Sequence, residues 1–123
     1  MTPIPPAVLV GLGGVCGALA RFLVGERIET RTVDTLAVNV LGSVALGALA
    51  ATPLDSAPSL LLGVGFCGAF TTFSSFAVET VQLYEAGQRR RAALNAGGTL
   101  LAALLGVALG SALGSAVLTP LLS

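Results

Sequence analysis

The sequence predicts an all-α membrane protein with four transmembrane helices in a single domain, 1–123, and three observations predict it. First, 54% of the 123 residues are hydrophobic and only 10% charged. The mean hydropathy is +0.94, far above that of an ordinary soluble domain of this size. Second, the charges divide the chain into four uncharged runs: Met1 to Ala20, Thr35 to Leu54, Ser56 to Val78 and Ala92 to Ser123. A membrane helix needs roughly 20 apolar residues, so each run supplies one span. Third, several of the 16 glycines recur at four-residue spacing, Gly13 with Gly17 and Gly106 with Gly110 and Gly114. Small residues one turn apart let membrane helices approach closely.

The first helix is expected near 5–25. Its run lacks a basic leading segment and contains Pro3, Pro5 and Pro6, so it reads as a retained span rather than a cleavable signal. The second is expected near 34–51 and carries Asn39, with Ser43 one turn later. The third is expected near 58–84. The fourth, near 91–118, carries Asn95 and Thr99 one turn apart, and its glycine series suggests an intersubunit face. The connections are short: a mixed-charge stretch from Glu26 to Val33, a proline-containing turn from Thr52 to Pro58, and Ala86 to Arg91 with Gly87 and an arginine triplet.

Composition also excludes function classes. The chain has no His and no Lys, and most of its carboxylates fall in loops, so no base and nucleophile pair is visible and an enzyme is set aside. Cys16 and Cys67 fall inside expected spans as isolated residues, where cysteine behaves as a small apolar side chain rather than a disulfide half or a metal ligand. A net charge of zero gives no sign of nucleic-acid binding.

The third run holds the densest signal, GFCGAFTTFSSF from Gly65 to Phe76, with four of the five phenylalanines. Phe66, Phe70 and Phe73 fall at i, i+4 and i+7, with Phe76 one turn on, so on a continuous helix the rings form one stripe and Thr72 and Ser75 a polar stripe beside it. Two readings stand. The rings fill a packing seam while the hydroxyls bond back to the helix, or the segment lines an ion path. Asn39 and Asn95 carry amides that need partners in hydrocarbon, either across helices or in a wet cavity.

GGVCGALAR (Gly13 to Arg21), DTLAVNVLGS (Asp34 to Ser43) and GFCGAFTTFSSF resemble, in order and on the same helices, the three sequence blocks of the Fluc/CrcB fluoride-channel family. The resemblance implies passive, fluoride-selective export across the cell membrane that lowers cytoplasmic fluoride toxicity. It also implies an antiparallel, dual-topology-type dimer and a third helix broken near its middle. By the same resemblance, Phe73 and Phe76 match the phenylalanines of the fluoride pathway and Asn39 its asparagine. Thr99 and Asn95 fall in a polar track on helix four, and Gly68 and Thr71 match positions whose carbonyls hold a structural Na+ at the dimer interface. Two positions depart from the family pattern: Ala69, where a second glycine is usual, and Asn95, where tyrosine is common.

The chemistry beside the resemblance is coherent. A small anion leaving water needs fixed positive dipoles in place of its hydration shell. Phenylalanine edges, amide hydrogens and hydroxyls, here Phe73, Phe76, Asn39, Thr99, Thr72 and Ser75, supply them without a full charge that would trap the ion. Arg21, closing the first span, is either a snorkelling anchor or a vestibule residue that draws anions in.

Arg27 and Arg31 follow helix one and Arg89, Arg90 and Arg91 follow helix three, while the termini and the middle loop hold no basic residue. The positive-inside rule therefore puts those two loops in the cytoplasm and both termini outside. A chain so biased is expected to pair with a related subunit of opposite orientation. One rival is a small four-helix multidrug/proton antiporter, but such proteins carry a carboxylate in helix one and Met1 to Ala20 has none. A second rival is a non-conducting partner subunit of a heterodimeric channel.

Overall fold

The computed structural model describes residues 3–123; Met1 and Thr2, with which the first uncharged run begins, lie outside the described residues. Among those residues four helical spans are long and apolar enough to cross a membrane: Pro6–Arg27, Arg31–Ala50, Ser56–Glu85 and Arg89–Leu122. We label Pro6–Arg27 α1, Arg31–Ala50 α2, residues 56–70 α3, Phe73–Glu85 α4 and Arg89–Leu122 α5.

Each start and stop has a local cause. Pro6 opens α1 at a position whose N–H has no helical partner in any case. Helix α4 ends at Glu85 and is closed by Gly87, whose φ of +80° suits glycine. There Gly87 N–H donates to the Tyr84 carbonyl and Gln88 N–H to Leu83, the paired bonds that close a helix through a left-handed residue. The helices outrun the expected bounds. Helix α2 begins at Arg31 rather than 34, α1 runs to Arg27 rather than 25, and α5 continues to Leu122 rather than 118. An uncharged run measures hydrocarbon thickness, whereas a helix continues past it with charged side chains reaching to water.

Glycines set the packing. A Cβ on Gly13 would collide with the Leu61 carbonyl and one on Gly17 with that of Phe66, so α1 and α3 touch backbone to backbone. The α5 glycines are the counterpart. A Cβ at Gly110 would strike the Val44 carbonyl, one at Gly114 that of Ala48, and Gly106 lies against Val40 and Val44. The glycine series expected to face another subunit is therefore turned inward onto α2 of the same chain. Interhelical approach requires small residues wherever two backbones meet, and the spacing alone does not say which partner they meet.

The third span is two helices joined by an extended pair. Helix α3, wound with wide π-type turns over Ser59–Cys67, ends at Phe70. Thr71 (φ −86°, ψ 164°) and Thr72 (φ −150°, ψ 121°) are extended, and α4 begins at Phe73. This changes the expected ring pattern. In place of one stripe there are two pairs, Phe66 stacked on Phe70 with centroids 5.7 Å apart and Phe73 tilted against Phe76 at 5.8 Å. Periodicity does not carry across residues that leave the helix. Large apolar residues such as Leu12, Phe22, Leu101 and Leu105 cover the outer surface, and Val38, Cys67, Phe70 and Ala92 are the buried apolar residues.

Candidate functional site

The extended pair at 71–72 is held by one side chain. Asn39, half-buried on α2, donates from Nδ2 to the Thr72 carbonyl at 2.9 Å and accepts the Thr72 N–H on Oδ1 at 2.8 Å. A primary amide matches a backbone peptide donor for acceptor, so Asn39 replaces the ladder partners that Thr72 gives up by leaving the helix. One Nδ2 hydrogen is not used by that pair.

The Thr72 side chain restarts the helix. Its Oγ1 caps α4 by accepting the Ser75 N–H at 3.2 Å, and it lies 3.2 Å from Ser75 Oγ and 3.3 Å from Ser74 Oγ. Arg21 on α1 joins this cluster by donating from Nη2 to Ser75 Oγ at 3.3 Å. A chain of polar contacts thus runs Arg21, Ser75, Thr72, Asn39 across three spans.

The diverted donors leave acceptors behind. In an unbroken helix the Gly68 carbonyl would accept the Thr72 N–H and the Thr71 carbonyl the Ser75 N–H. Those two N–H groups go instead to Asn39 Oδ1 and Thr72 Oγ1. Thr71 Oγ1 meanwhile donates back to the Cys67 carbonyl at 2.9 Å. A Cβ added at Gly68 would meet nothing within 4 Å, so the backbone there is open on one side.

An open-sided cavity of about 690 Å³ runs alongside the break. Asn39, Gly68, Thr71, Thr72, Phe73, Phe76 and Thr99 all line it, so three spans bring together seven of the residues singled out from the sequence. Phe73 is 79% exposed on it, the most exposed large apolar side chain described. Ser75, Asn95 and Arg21 are not on that wall. Ser75 bonds as above, and Asn95 Nδ2 donates at 2.9 Å to Thr80 Oγ1, which in turn donates to the Phe76 carbonyl at 2.8 Å. Arg21 lines a second cavity of about 330 Å³ with Glu26 and Asp34.

Sequence reasoning passed over Thr35. It is buried on α2, and its hydroxyl donates at 2.7 Å to Glu79 Oε1 on α4, a carboxylate also buried within the chain. Thr35, Asn39 and Ser43 stand one turn apart on α2, a polar face that spacing would have shown had Thr35 been read with the other two. Cys16 is exposed and Cys67 buried, both as free thiols.

The arrangement offers an anion N–H, O–H and ring-edge hydrogens in a largely apolar groove, with Arg21 the cation nearest to it in the polar chain. A family profile described as "CrcB-like protein, Camphor Resistance (CrcB)" matches residues 8–111. "Fluoride-specific ion channel FluC 2" of Natronomonas pharaonis is 58% identical over 99 residues, which cover 80% of this chain and 85% of that protein. The protein of the same name from Haloarcula marismortui is 50% identical over 108 residues, 86% of this chain and 91% of the relative. That from Moorella thermoacetica is 44% identical over 104 residues, 78% of this chain and 85% of the relative.

Proposed function

The chain belongs to the CrcB-like family and is a multi-pass membrane protein, and from that premise we propose that it is a fluoride-selective channel exporting fluoride passively from the cell. The observation that carries this reading is the 58% identity, over most of both chains, to a protein named a fluoride-specific ion channel. The site chemistry agrees with it. A fluoride ion moving along the cavity would exchange water for the edges of Phe73 and Phe76, the hydroxyls of Thr72 and Thr99 and the unused Asn39 amide hydrogen. Such dipoles replace hydration without a fixed charge on the wall, which favours entry and still permits release. Ser75 and Asn95 act one layer out, by orienting Thr72 and, through Thr80, the backbone at Phe76.

The working unit in this proposal is an antiparallel pair of chains. Its support is the open side of the cavity and the exposed Phe73 ring, a surface unsuited to lipid because hydroxyls and diverted carbonyls share it. Gly68 and Thr71 fit a structural Na+. Their carbonyls are hard oxygen donors that have lost helical partners, and a pair of chains would supply two such sets. A bound Na+ would neutralise those dipoles and add positive potential beside the anion path. The basic residues Arg27 and Arg31 at the α1–α2 turn and Arg89, Arg90 and Arg91 at the start of α5 favour termini outside under the positive-inside rule, and the partner of opposite orientation would then be a related subunit from a second gene.

Growth in fluoride tests the proposal. In a bacterial strain stripped of its own fluoride exporters, expression of this chain, alone or with an opposite-orientation relative, is expected to restore growth. Growth that remains fluoride-sensitive in both cases, with the protein present in the membrane, would overturn it.

A further inference from the structure

The second cavity, about 330 Å³ between the end of α1, the start of α2 and Ala69 on α3, is lined by Arg21, Glu26 and Asp34, and two of these, opposite in charge, each carry a buried polar atom with no hydrogen-bond partner among the described residues. Arg21 uses Nη2 on Ser75, yet its Nη1 is buried and has no hydrogen-bond partner among the described residues. Asp34, also lining the cavity, has a buried Oδ1 in the same condition. Both atoms are covered by this chain itself, so a second subunit does not reach them. Uncompensated charges out of water are strongly unfavourable, which makes each the other's natural counter-charge. Gly25 on α1 lies beside Asp34, where a Cβ would stand 3.5 Å from Asp34 Oδ2, an ordinary contact.

We infer that Asp34 is a specificity-determining counter-charge: acting across this cavity on Arg21, it sets how tightly the mouth of the fluoride path holds an anion. The inference rests on the proposed fluoride function, because Arg21 reaches the path only through Ser75 and Thr72. An isolated arginine beside a narrow anion path attracts the ion and slows its departure. A carboxylate within the same cavity lowers the local potential and keeps release fast. The competing role for Asp34 is structural, since an acidic residue in the first turn of α2 interacts favourably with the helix dipole.

Fluoride efflux from liposomes, measured against internal fluoride concentration, separates the two roles. Asp34→Asn is expected to lower the half-saturating fluoride concentration about three- to tenfold, as removal of one nearby charge should. Arg21→Gln should raise it by a similar factor. Because Asp34 acts through Arg21, the double variant should match Arg21→Gln alone rather than return to wild type, and Asp34→Glu should match wild type. A purely structural Asp34 would instead change the unfolding midpoint in detergent while leaving half-saturation unmoved. That result, or single effects that simply multiply in the double variant, overturns the inference while leaving the channel function standing. If wild type passes no fluoride, alone or with an opposite-orientation relative, the function fails and the inference with it. Variants that do not fold for flux are read by unfolding. A stability coupling between positions 21 and 34 supports the pairing, and strict additivity refutes it.

Discussion

Asn39 shows how much one side chain decides. Its amide makes two bonds to one residue, Thr72, whose N–H and C=O belong to adjacent peptide groups, and so lets the third span stop being helical there. Asn39→Ala would leave a part-buried N–H and C=O without partners, at a cost of about 1–3 kcal/mol for the two groups together. A lower unfolding midpoint in detergent and loss of fluoride efflux are therefore expected together, and an unchanged midpoint would show that the clamp does not hold the break. Phe73 should behave oppositely. It is 79% exposed, so Phe73→Ile is expected to leave folding intact while abolishing efflux. Legibility in the sequence follows the same division. Asn39, Thr72 and Phe73 stood out because polar and aromatic residues are unusual within an uncharged run, and the cavity brings them together. Neither the Asn39 to Thr72 pairing nor the Thr35 to Glu79 bond was legible, because each joins residues more than 30 positions apart and no local pattern encodes such a contact.

At the scale of elements, the glycines decide which helices meet. Four-residue spacing announced close packing, but the partner of the α5 series emerged only from its contact with the α2 backbone at Val44 and Ala48. Gly110→Leu would push these helices apart. A loss of about 1–3 kcal/mol is expected from overpacking, read as a lower unfolding midpoint in detergent. If the glycine faced a partner chain instead, the substitution would dissociate the assembly without loosening the subunit. The break between α3 and α4 has its own element-scale logic. Thr72 caps α4 through Ser75 N–H, so Thr72→Val should cost roughly 1 kcal/mol and also release Ser75 and Arg21 from the site. The single aromatic stripe expected of a continuous helix is lost at the same break. A period of 3.6 residues holds only while the chain stays helical, and Thr71 and Thr72 do not.

The described residues form a thin-cored bundle whose outer face is apolar, with Asn39, Thr71, Thr72 and Thr99 gathered along one open cavity. Hydropathy made the four spans legible because membrane thickness fixes their length, whereas the open side of the cavity is a property of the folded chain alone. The account's central claim is that this cavity passes fluoride selectively. The most direct measurement is anion efflux from liposomes containing the purified chain, alone and together with a relative of opposite orientation, comparing fluoride with chloride and wild type with Phe73→Ile. Rapid fluoride loss with chloride retained, abolished by Phe73→Ile in a folded protein, is the predicted result. Fluoride and chloride leaving at equal rates, or fluoride efflux indifferent to Phe73→Ile, would contradict the account.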